Sequence, residues 1–144
     1  MAEQNFSNHG RFFPPFHFFV LPVLLINFFW SLYRWKTSGY SVDGFEYVVV
    51  AAALAVGFVS ARLMALSVQD RVIRLEEQLR YQRLLPADLK PRIGEFTVSQ
   101  FVSLRFAGDA ELPALARKVL DEKLNQRKAI KQLVKNWKPD YLRA

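Results

Sequence analysis

Cysteine is absent from this chain of 144 residues. Its absence excludes disulfides, thiolate metal sites and cysteine nucleophiles. Histidine is nearly absent: the chain holds only His9 and His17. Both lie near the N-terminus, so the C-terminal half has neither a His-based triad nor zinc-finger spacing. Neither G-x-x-x-x-G-K-[ST] nor G-x-G-x-x-G occurs, which removes the usual phosphate-cradling loops. No internal repeat is visible. The expectation is therefore a non-enzymatic chain with no cofactor and no metal. Charge is also missing from one long stretch, Phe45 to Leu66, FEYVVVAAALAVGFVSARLMAL, between Glu46 and Arg62.

That stretch is 22 residues long, and a hydrocarbon core about 30 Å thick needs roughly 20 helical residues. It reads as a transmembrane helix with a charge near each interface. A second spanning candidate comes earlier, Phe16 to Trp35, FHFFVLPVLLINFFWSLYRW. His17, Asn27 and Ser31 are its polar interruptions before Arg34. Trp30, Tyr33 and Trp35 gather at its end, where amphipathic aromatics favour the headgroup level. Pro15 suits a first turn, and Pro22 predicts a bend. A cleaved signal peptide is the weaker alternative, because the apolar run is long and no small-x-small site follows it directly. His17, early in the first span, reads as an interfacial hydrogen-bonding group.

Lys36 to Gly44, KTSGYSVDG, is too short to recross a membrane. The two helices are therefore expected to form an antiparallel hairpin with both termini on one side. Arg34 and Lys36 flank the loop, while Arg11, Arg62, Arg71, Arg74, Arg80 and Arg83 lie on the other side. That bias puts both termini in the cytoplasm of a multi-pass inner-membrane protein.

Ala53, Gly57, Ala61 and Ala65 recur every four residues and share one helix face. Small residues let helix backbones approach in lipid. The stripe is read as a packing face for the first helix or for a second copy, with Asn27 able to hydrogen-bond across the contact. Bulky Leu25, Phe28, Phe29 and Trp30 are the matching residues of the first helix. Ala61, Ala65, Val68, Val72, Leu75, Leu79 and Gln82 then alternate spacings of four and three, a heptad seam leaving the membrane. Its soluble part is under three heptads. A coiled coil and packing on the chain's own C-terminal helices are equal expectations. Glu76 and Arg80 are expected to pair at i,i+4.

Of the 20 Lys and Arg, only four precede Ser67; the other 16 follow it, beside ten Asp and Glu. The net +7 is thus mostly a property of the second half. Pro86 and Pro91 frame a linker. Thr97 and Gln100 form a T-x-x-Q capping box before an apolar face of Val98, Phe101 and Leu104. Gly108 is expected to end that helix and Asp109 to cap the next, whose face is Leu112, Leu115, Val119 and Leu120. Asn125 is expected to cap a third helix with Ile130, Leu133, Val134 and Trp137 inward. Asp121-Glu122 and Glu76-Glu77 are adjacent, diverge on a helix, and read as surface charges.

Lys128, Lys131 and Lys135 lie at i, i+3 and i+7 on one helix face, opposite much of the apolar side. They form a candidate surface for anionic lipid or for nucleic acid phosphates. Nucleic acid is the weaker reading, because that helix offers mostly Lys rather than base-reading Arg, Asn or Gln.

The organisation is thus all-α. Residues 1–14 are a polar arm, 15–66 a two-helix transmembrane hairpin, 67–85 a juxtamembrane amphipathic extension of the second helix into the cytoplasm, 86–96 a Pro-containing linker, and 97–144 a basic bundle of about three short helices. The opening MAEQNFSNHGRFFPPFHFFVLPVLLIN and the blocks VSLRFAGDAELPALARKVL and IKQLVKNWKPDYLRA resemble an uncharacterised bacterial family of small two-helix membrane proteins. Acidobacterial members belong to it, and some members carry a loose transporter-permease label. The resemblance spans the chain and brings no functional residues. The expected role is an anchor, scaffold or accessory subunit in the inner membrane. Its expected partners are the bilayer, anionic lipid, and a membrane protein or a second copy. A membrane-tethered nucleic-acid-binding regulator and a small transporter or channel component are the alternatives.

Overall fold

The computed structural model describes Asn5, Phe6 and residues 13–140. Most of the polar arm, with His9 and Arg11, lies outside the described residues. Those described are helical, with no strand among them and a single isolated bridge between Ala107 and Trp137. Within Arg11–Leu66 they form one compact unit; those within Ser67–Ala144, with Asn5 and Phe6, form another.

The first unit opens on a π-helical segment, Pro15–Val20, that leads into α1, Leu21–Thr37. The Leu21 amide reaches back five residues to the Phe16 carbonyl. This wider turn lies just before Pro22, which has no amide donor of its own. The His17 ring nitrogen Nδ1 lies 3.2 and 3.0 Å from the backbone N and O of Phe13. Gly39 and Tyr40 turn the chain with φ of +67° and +61°, a conformation glycine adopts at little cost. The Trp35 indole donates to the Ser41 carbonyl at 3.1 Å and its ring packs on Phe45. Helix α2 then runs unbroken over 43 residues, Val42–Leu84.

Both long helices contain windows apolar enough to cross a membrane, and 6% of each window is buried. Among the described residues of this unit, Ser31, Val48 and Ala51 are buried. Ala53, Gly57, Ala61 and Ala65 are all exposed, and a Cβ at Gly57 would find nothing within 4 Å.

The second unit has a conventional core. The C-terminal part of α2 lends it Tyr81, and Leu85 joins it just past the helix end. Tyr81 packs within 5.2 Å of Phe96 and 5.1 Å of Phe101, centroid to centroid. The apparent linker is part of this core: Leu89, Ile93 and Phe96 are buried, and Lys90–Glu95 is a 3-10 helix. Asp88 to Arg117 at 2.6 Å and Arg92 to Asp121 at 2.9 Å pin it to a later helix. The two prolines limit helix length there and leave the aliphatics between them free to turn inward.

Helix α3, Val98–Leu104, begins with the expected reciprocal capping box. Helix α4, Leu112–Asp121, buries Leu112, Ala116, Val119 and Leu120. Helix α5 is only Arg127–Gln132, shorter than its apolar pattern predicts. Ile130 and Val134 still reach the core, with Trp137 packed at its edge. Two caps differ from expectation. The N-cap of α4 is Glu111, not Asp109, and has no side-chain bond; Asn125 accepts from the Gln100 amide at 3.3 Å, and Gln126 is the N-cap of α5. Gly108 lies four residues past the end of α3. There its backbone N donates to the Asn136 carbonyl at 2.8 Å, and a Cβ would stand 3.1 Å from that oxygen. Close approach of two backbones is therefore what selects glycine at 108.

Candidate functional site

The C-terminal part of α2 has two unlike faces. One carries the aliphatic seam; the other carries Ile73, Glu77, Arg80 and Tyr81. The second face is the one buried. The expectation that the seam packs on the chain's own helices is thus corrected, and so is the reading of Glu77 as a surface charge.

Arg80 explains the inversion. Its Nη1 donates to Glu77 Oε2 at 3.1 Å and its Nε to Asp109 Oδ1 at 2.9 Å. Its Nη2 donates to the Ala107 carbonyl at 2.6 Å, and Nη1 reaches the Arg105 carbonyl at 3.4 Å. The expected Glu76–Arg80 pair is replaced by Glu77–Arg80 at i,i+3. Burial pushes the Glu77 carboxyl above its ordinary range, opposed by Arg80. The Arg80 hydrogen bond holds Asp109 below its ordinary range. One guanidinium thus binds α2 to the loop after α3, satisfying carbonyls that no helix uses. Burial also pushes the Tyr81 phenol well up, and its hydroxyl has no hydrogen-bond partner among the described residues. This arrangement staples the fold, since its donors are spent on the chain itself.

Arg105 makes a similar tie, with Nε 3.0 Å from Asp140 and its guanidinium 4.5 Å from the Phe106 ring centroid. Glu111 accepts from the backbone N of Asn136 at 3.0 Å and of Lys135 at 3.2 Å. Sequence reasoning missed these roles because Asp140, Lys135 and Asn136 lie more than 20 residues from the side chains they meet.

The predicted basic residues are only partly brought together. Lys128 and Lys131 share α5, and the Lys131 ammonium stands 5.2 Å from the centre of the Phe106 ring. Lys135 lies past the helix end, so the i+7 relation does not place it on a common helical face. Arg127, Lys128 and Lys131, with Phe6, line a shallow cavity of about 340 Å³. Arg127 also pairs with Asp70 at 3.0 Å.

In the first unit Asn27 is exposed, and its carbonyl accepts from the Ser31 hydroxyl at 2.8 Å. Its side chain borders an open cavity of about 450 Å³ near the loop, with Trp30, Arg34, Asp43 and Glu46. Among the described residues, no three His, Asp or Glu side chains gather as a metal site.

A family model, described as a family of unknown function (DUF6526), matches residues 1–144. Neither a curated protein nor a solved structure matches the chain.

Proposed function

The chain belongs to the DUF6526 family, and we propose that it is a non-enzymatic integral protein of the bacterial inner membrane. In this reading α1 and the first half of α2 form an antiparallel transmembrane hairpin, and both termini lie in the cytoplasm. The helical unit from Ser67 onward acts as an anchor, scaffold or accessory module for another membrane component. Its basic surface rests against anionic lipid. One observation carries the proposal: both long apolar helices keep their side chains outside. Phe18 and Phe19 on the π-helical segment, Ile26 and Phe29 on α1, and Val56 and Leu63 on α2 are exposed. An apolar surface of that extent is uncommon on a protein that stays in water, and in hydrocarbon it is the favourable arrangement. Helical backbone satisfies its own hydrogen bonds there.

Reporter fusions test the topology. Fusions at Ala2 and Ala144 are expected to report cytoplasm, and a tag at Gly39 the periplasm. Termini on opposite sides would end the hairpin reading.

A further inference from the structure

The two faces of α2 beyond Leu66 differ in what covers them. Ile73, Glu77, Arg80 and Tyr81 are buried in the chain's own second unit. On the other side Val68, Val72, Leu75 and Leu79 stay 59, 48, 62 and 62% exposed. At about 100° per residue the two sets are centred on nearly opposite sides of the helix. No rotation of α2 could cover both.

The exposed four follow 4-3-4 spacing, so Val72 and Leu79 take heptad position a and Val68 and Leu75 position d. A β-branched residue at a with Leu at d, as in Val72 and Leu75, favours two parallel strands. In this register Arg71 is a g residue and Glu76 an e residue. In a parallel pair, g of one helix faces e of the next heptad on its partner. Arg71 would then meet Glu76 of the second copy, and symmetry makes the contact twice. Within the chain neither Arg71 nor Glu76 has an ion-pair partner among the described residues, whereas Asp70, Glu77 and Arg80 are all engaged. The charges beside the seam thus complement a second copy of the same seam.

We infer that α2 pairs in parallel and in register with a second copy of this chain along Val68, Val72, Leu75 and Leu79, with Arg71 of each copy against Glu76 of the other. Two heptads alone are short for a stable pair. In this respect the inference rests on the membrane reading above. Copies inserted the same way are parallel, and confinement to one bilayer raises their effective concentration.

The absence of native cysteine makes the test direct. Single variants Val68→Cys, Val72→Cys, Leu75→Cys, Leu79→Cys and Arg74→Cys are prepared in the full chain. Each is reconstituted in phosphatidylethanolamine–phosphatidylglycerol vesicles and treated with a mild oxidant. The four seam positions are expected to give disulfide-linked dimers, and Arg74→Cys, on a different exposed side, several-fold fewer. Equal cross-linking at Arg74, or none at the seam, would overturn the pairing, the latter leaving the seam to a different protein. In the Val72→Cys background, Arg71→Glu or Glu76→Arg should each lower the linked fraction roughly threefold or more by setting like charges together. The double swap should restore it. Cross-linking indifferent to all three changes would overturn the proposed register. Carbonate extraction of the same vesicles reports insertion separately. An inserted chain without seam cross-links defeats the pairing and leaves the membrane reading standing. A chain that is extracted defeats the membrane reading, and the cysteine pattern in solution still decides the pairing.

Discussion

Phe29 and Phe101 are the same side chain in opposite surroundings. Phe29, on α1, is 63% exposed, while Phe101, on α3, is fully buried. The contrast holds for their units. Arg11–Leu66 presents its aromatic and aliphatic side chains outward and buries Ser31, Val48 and Ala51. The unit from Ser67 gathers Tyr81, Leu89, Phe101, Leu104 and Ile130 inside. The first arrangement is stable against hydrocarbon and the second against water, for the same reason: apolar surface avoids water. Composition averaged over the chain hides this, because mean hydropathy is near zero.

The largest effect should come from the interior of the second unit. Phe101→Ala is expected to cost about 3–5 kcal/mol, the transfer term plus the cavity left behind. Phe29→Ala should cost under about 1 kcal/mol in detergent micelles, since its ring packs little within the chain. Denaturant titration of both variants by near-ultraviolet circular dichroism checks this. Equal costs would break the contrast between the units.

Arg80→Met comes next. It leaves Glu77 buried without its cation and frees the Ala107 carbonyl. The expected loss is about 3 kcal/mol or more. Glu77→Gln removes the charge that burial disfavours and keeps an acceptor, so its cost should stay within about 1 kcal/mol at neutral pH. A costly Glu77→Gln with a harmless Arg80→Met would reverse the roles assigned here.

A smaller effect follows from titration. Asp109 and Asp88 are held below their ordinary range, first by hydrogen bonds from Arg80 and Arg117. Their contribution is present above the unfolded value of 3.8 and is lost as pH falls through the lowered folded values. Glu77 has the opposite sign. Its raised value contributes below the unfolded 4.5 and loses that contribution as pH rises through the folded value. Asp109→Asn should flatten the acid limb of a stability–pH curve and cost under about 1 kcal/mol, because the carboxylate is largely solvated. An unchanged acid limb would remove Asp109 from the account.

The smallest effect on folding stability is expected at the basic surface, where the readout is contact with lipid. In full-length protein in nanodiscs, anionic lipid should slow amide exchange over residues 127–135 relative to zwitterionic lipid. Each Lys near such a surface contributes about 1 kcal/mol, screened by salt. Lys128→Gln with Lys131→Gln and Lys135→Gln should abolish that difference, as should raised salt. Protection that survives both would exclude an electrostatic contact.

Local signals were legible where the physics is local. The capping box at Thr97 and Gln100 needs only residues three apart. The apolar positions of α3 and α4 follow from their period, and the long apolar windows from length and hydropathy. Two readings failed where a distant partner decides. The α2 seam is the most regular aliphatic series of the soluble part, yet the core takes the face with Glu77 and Arg80. Burying that face requires Asp109 and the carbonyls of Arg105 and Ala107, more than 20 residues away. The Pro-framed stretch was misread for a related reason: proline reports that a long helix cannot continue, and Leu89, Ile93 and Phe96 still have a core to enter.

By itself, then, the sequence determined that the chain is helical, that two of its helices are long and apolar enough to span a bilayer, and where the charge-rich half begins. These properties depend on hydropathy, spacing and capping within a few residues. Only the tertiary structure decided which face of α2 is covered, that Gly108 admits the Asn136 carbonyl, and that α5 ends before Lys135. Each depends on what another segment brings within a few ångströms, and no local period encodes that.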